Sequence, residues 1–93
     1  MTMRTCIVEQ RREHREPAAG DVRLTVQGPG QIEFVGRLLD SSPSGFRASH
    51  TYTALSTGLK VRFRHGDRDG YALVMWNRIL PDHSESGFLI LDE

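Results

Sequence analysis

From Asp21 onward, apolar and polar residues alternate in short runs broken by turn residues. A period of two marks strands with one buried face. "DVRLTVQG" sets Val22, Leu24 and Val26 on one side, and "GPG" at residues 28–30 ends the run. "QIEFVGRLLD" aligns Ile32, Phe34 and Leu38, with Gly36 in register where a missing side chain permits a bend or a close backbone approach. "GFRASH" is short, with Phe46 and Ala48 alternating against Arg47 and Ser49. "GLKVRFRH" sends Leu59, Val61 and Phe63 inward and Lys60, Arg62 and Arg64 outward. After the turn "GDRDG", the run "YALVMWNRIL" is apolar on both faces and predicts a central or doubly covered strand. "GFLILDE" is the sixth run. Six short strands joined by Gly, Pro, Ser and Asp turns predict an antiparallel all-β barrel or sandwich, and closure would remove exposed edges. "SHTYTALSTG" reads as a loop with room for one helical turn.

Ahead of these runs, residues 1–20 lack strand alternation and form an N-terminal arm, which leaves residues 21–93 for the barrel. Within the arm, "CIVEQRREHREP" reads as a short helix that Pro17 stops. Ninety-three residues suffice for one core. No apolar run is long enough to span a membrane, and "MTMRTCIVEQ" lacks the pattern of a secretory signal, so the expected location is cytoplasmic. Cys6 stands alone and the four histidines are isolated, so neither a disulfide nor a metal site is expected.

A formal net charge of zero argues against a DNA- or RNA-coating role, which needs many phosphate neutralisations. Charge does concentrate locally. Arg11, Arg12 and Arg15 cluster on the arm, diluted by Glu9, Glu13 and Glu16. Lys60, Arg62 and Arg64 form a basic stripe that reads as a solvated strand face. Trp76, inside the most apolar run, reads as core or a subunit contact. No nucleophile elbow, paired carboxylates in a cleft or phosphate loop is present, so the chain is expected to have no catalytic chemistry and no cofactor.

Arg11 and Arg15 are four residues apart, and Asp40, Ser42 and Gly45 follow in the order Asp, any, Ser, any, any, Gly within "LLDSSPSGFRASH". An Arg pair at spacing four arises about once by chance in a chain this rich in arginine, and the second pattern in roughly one such chain in twenty. Together, in this order, they are far more specific. Here the sequence resembles the PilZ domain family, whose signatures are RxxxR on an N-terminal arm and (D/N)xSxxG at a strand end; the resemblance runs from "QRREHR" to "GFLILD". It implies a small six-stranded antiparallel β-barrel with a flexible N-terminal arm, acting as a receptor for cyclic di-GMP.

The chemistry of the residues fits that ligand. An arginine fork meets guanine O6 and N7 bidentately, and guanidinium planes stack on bases. Arg11 and Arg15, with Arg12 as a possible addition, would supply base and phosphate contacts. Asp40 would accept from guanine NH groups or anchor an arginine, Ser42 would donate to phosphate or base, and Gly45 would clear the backbone approach. Arg68, in the "GDRDG" turn, is expected to lie outside the site. The implied receptor is a monomer or homodimer that orders its arm on ligand and passes the signal to a downstream protein partner. The alternative is a PilZ-like protein-interaction module with little or no nucleotide affinity.

Overall fold

A computed structural model of the chain describes residues 16–92. Its strands are β1 (Glu16–Pro17), β2 (Asp21–Val26), β3 (Ile32–Ser42), β4 (Gly45–His50), β5 (Lys60–His65), β6 (Arg68–Ile79) and β7 (Ser84–Ile90), and there is no helix among the described residues. The order β3-β2-β5-β6-β7-β4 closes where β4 pairs with β3, giving a six-stranded antiparallel β-barrel. Short β1 lies against the far end of β3, with Glu16 opposite Ser41 and Pro17 opposite Asp40. Gly20, at φ +104°, turns the chain between β1 and β2. Leu38 N–H donates to the Gly20 carbonyl there at 2.9 Å.

Of the residues the alternation predicts inward, Val22 and Leu24, Leu38, Phe46 and Ala48, and Val61 and Phe63 are buried, while Val26, Phe34 and Leu59 pack half-buried against them; Ala72, Val74 and Phe88, which the alternation does not single out, complete the core. Phe46 lies at the centre of an aromatic trio, 4.8 Å from the Phe88 ring and 5.2 Å from Phe63. Gly36 does mark a close approach, since a Cβ there would stand 2.9 Å from the Ser49 carbonyl oxygen. Ile32 keeps the inward register opposite Val26 but sits at the barrel end and is exposed.

The stretch after β4 forms no helical turn. Its Leu55 side chain enters the core, and its backbone is held by β6. Asn77 Nδ2 donates to the Leu55 carbonyl at 2.8 Å, and Gly58 N–H donates to the Val74 carbonyl at 2.7 Å. With these groups engaged by the barrel, a local helix has nothing to add. The turn before β6 is also tighter than the sequence suggests. Only Gly66 and Asp67 separate His65 from its partner Arg68, and Gly66 has φ +61°, the sign required at the first central position of a II′ hairpin.

A buried polar chain ties this loop to three strands. The Tyr52 N–H donates to His50 Nδ1 at 3.1 Å, which leaves Nε2 as the protonated nitrogen facing Ser86 Oγ at 2.7 Å. Ser86 Oγ donates onward to Asn77 Oδ1 at 2.5 Å. Although His50 and Ser86 form a close Ser–His pair, Ser86 is 0% exposed, so the pair is structural. Burial, and to a lesser degree repulsion from His83, hold His50 below its ordinary value of 6.5. The unfolded chain then binds this proton more readily than the fold does, so the stability owed to neutral His50 is fully present above about pH 6.5 and falls as the pH drops through the lower folded value. His83 is raised by its bond to Asp82 and opposes this trend, so the effect must be isolated by difference. Urea midpoints should decline from about pH 7.5 to about pH 5.5 more steeply in the native chain than in His50→Gln. Identical slopes would show that His50 does not titrate differently in the fold.

Candidate functional site

Asp40, Ser42 and Gly45 belong to a hairpin ladder, since β3 continues through Ser42 and only Pro43 and Ser44 form the turn. Neither has positive φ and no peptide is cis, which excludes the I′, II′, II and VI forms and suits Pro43 at the second position of a type I turn. From Ser42 opposite Gly45, the register counts back to Asp40 opposite Arg47. Between Leu38 and Asp40 the register shifts by one, with Leu39 as the extra residue. Strict alternation would put Asp40 on the inward side with Leu38; the bulge brings it out beside Arg47.

There the carboxylate holds the guanidinium. Arg47 Nε and Nη2 both lie 2.6 Å from Asp40 Oδ2. The bond to Asp40 raises the Arg47 pKa further above an already high value, so the group is cationic at any ordinary pH. Asp40 is buried at 8% exposure, whereas the Arg47 side chain remains 42% exposed. Of the two sequence roles for Asp40, anchoring an arginine is the one it fills in this structure. Ser42 is buried and its hydroxyl donates to the Gly45 carbonyl at 3.4 Å. Gly45 leaves room for protein, since a Cβ would overlap the Phe88 carbonyl oxygen of β7.

The same outer row continues across the next two strands. Arg47 stands opposite Gly87 on β7, and Gly87 opposite Trp76 on β6. A second register shift, between Val74 and Trp76, turns the indole outward in the way the first turns Asp40. Trp76 is therefore not a core residue. It is 38% exposed and lies over Gly87, where a Cβ would overlap the ring. Met75 is exposed as well, so the outer face of β6 is uncovered here, contrary to the expectation of a doubly covered strand. A cleft of about 270 Å3 opens along this row, bounded by Arg47, Trp76, Gly87, Gly45, Ser44 and Leu89. An oriented guanidinium and an indole on either side of Gly87, lining one cleft, suit a planar ligand that carries hydrogen-bond acceptors or phosphate.

Arg11, Arg12 and Arg15, together with the helix expected around them, lie outside the described residues. The short β1 went unseen because two residues carry no periodicity, yet it brings the end of the arm onto the motif strand. Arg47 was accessible to reasoning, since a two-residue turn after Ser42 counts Asp40 onto Arg47. Trp76 was not, because the bulge that exposes it has no signature in the alternation. Arg68 turns out to share a small cavity at the barrel end with Ser41, and so is no clean control for this site. No family model and no curated protein matches the sequence. The likeness to PilZ domains rests on the residues themselves.

Proposed function

We propose that the protein is a receptor for cyclic di-GMP, of the PilZ type, with no catalytic chemistry of its own. The observation that carries this reading is the placement of β1: Glu16 pairs with Ser41 and Pro17 with Asp40, so the chain that bears the RxxxR arginines enters the barrel beside the DxSxxG strand. Arg11 and Arg15 would then reach a ligand seated against Asp40, Arg47 and the Trp76 ring. One guanine would stack on the indole, and the phosphates would meet the arginines. Ligand that bridges arm and barrel favours the docked arm, which is the requirement for shifting a conformational equilibrium and presenting a new surface to a partner.

Calorimetric titration tests the reading. Cyclic di-GMP is expected to bind without magnesium and to change Trp76 fluorescence. Arg11→Ala and Arg15→Ala should each weaken binding by about tenfold or more, the usual consequence of losing a charged hydrogen-bond partner. Arg37 is exposed, opposite Asp21 and Ser49, and lines neither the cleft nor the turn, so Arg37→Ala should change little. No heat at millimolar ligand would reject the receptor. Equal small losses in all three variants would reduce the arm to diffuse charge. The exposed Met75, Trp76 and Leu89 favour a second reading, an interaction module that binds protein through this face.

A further inference from the structure

On the other side of the barrel, the outer faces of β2, β5 and β6 gather a second set of cations. Arg23 on β2 stands directly opposite Arg64 on β5, and Arg62 stands opposite Tyr71 on β6. The Lys60 ammonium lies 4.7 Å from the Tyr71 ring centroid, and the Arg62 guanidinium 6.0 Å. Three carboxylates share this face, and one of them, Asp21, lies two residues before Arg23 on the same side of β2. Glu33 is 3.5 Å from Arg23, and Asp69, although opposite Arg64 in the ladder, is 3.7 Å from Arg62. Arg64 has no ion pair among the described residues. A cleft of about 270 Å3 lies over the row, lined by Arg23, Arg62, Arg64 and Tyr71, by Glu33, and by the two amides Gln27 and Gln31.

Like charges set directly across a ladder repel, and an antiparallel sheet gains nothing from placing Arg23 against Arg64. Glu33 and Asp69 orient Arg23 and Arg62 without neutralising the cleft, whose lining holds the three guanidinium groups of Arg23, Arg62 and Arg64 against the carboxylate of Glu33. Both ion pairs are exposed, so water screens them and they hold weakly. An anion between Arg23 and Arg64 turns the repulsion into two charge-assisted hydrogen bonds, and guanidinium forks match phosphate oxygens. The glutamine amides at the cleft's edge supply further N–H donors. Cations spread over adjacent strands, with successive strands about 4.8 Å apart, suit several linked phosphates better than one.

We propose that this face is a second binding site, which takes a polyphosphate anion. The proposal does not depend on the cyclic di-GMP reading, since the two clefts lie on different walls and share no side chain. The same chemistry is offered by an inorganic polyphosphate and by the triphosphate tail of a nucleotide, and Tyr71 distinguishes them because its ring can add a stacking contact to a base.

The test is calorimetric titration of the full chain, at low salt and without magnesium, with sodium tripolyphosphate and separately with ATP. Tripolyphosphate should bind, and binding should weaken as sodium chloride is raised. Arg23→Ala and Arg64→Ala should each reduce affinity by about tenfold or more, and Arg37→Ala by less than about twofold. All three positions are exposed, and unchanged thermal midpoints would confirm that the variants fold. A Tyr71→Leu variant that loses ATP affinity but keeps tripolyphosphate affinity supports the site with a nucleotide as its ligand. One that loses neither supports it with the phosphate chain alone. Absence of heat with both compounds at millimolar concentration, or affinity that Arg23→Ala and Arg64→Ala leave unchanged, overturns the proposal.

Discussion

Phe46→Ala is expected to cost about 3 to 5 kcal/mol of stability, since an aromatic ring is removed from a closed interior that cannot collapse around the space. Phe46 is 3% exposed and its ring contacts both Phe63 and Phe88, so three strands of the barrel meet on it. In a closed sheet each strand is held by hydrogen bonds on both sides, and the wall has little freedom to move inward. Domains hold about 5 to 15 kcal/mol in all, so this loss removes a large part of the margin. Urea denaturation followed by circular dichroism measures it. A loss below about 1.5 kcal/mol would mean that the neighbouring rings repack and that the trio is not the centre of the core.

The inward half of the barrel was readable because its strands keep a strict period of two. Val22 and Leu24, Val61 and Phe63, and Phe46 and Ala48 all face the core, as alternation alone dictates. Reading failed where the register slips. The extra residues at Leu39 and Met75 each reverse the side on which the following residue falls, and these two slips bring Asp40 and Trp76 onto one outer row. A bulge is set by how two strands meet, which one strand's composition does not record. The candidate site is thus concentrated where the alternation breaks. The motif residues themselves were legible, but their duties were not. Nothing in the spacing indicates that Asp40 is already engaged by Arg47, or that Gly45 is crowded by its own barrel rather than by a ligand.

That crowding decides how the glycine of the motif should behave. Gly45 does not have a positive φ, so alanine meets no backbone strain there. Its difficulty is steric, because the new Cβ would overlap the Phe88 carbonyl, which is main chain within the β4–β7 ladder and can move only with its strand. Gly45→Ala is therefore expected to destabilise the fold by about 2 to 3 kcal/mol. Gly87→Ala makes the useful contrast. There the Cβ would meet the Trp76 indole, a half-exposed side chain that can swing into solvent. Its stability cost should stay below about 1 kcal/mol, while Trp76 emission shifts to the red as the ring leaves the cleft. Thermal melts of both variants, with fluorescence recorded in parallel, measure the difference. If Gly45→Ala melts like the native chain, the close approach to Phe88 is not a constraint and the motif glycine is free to be explained by a ligand. If it melts early, loss of cyclic di-GMP binding in that variant carries no information about the site. The binding question then passes to Arg47 and Trp76, whose side chains stand exposed at the cleft.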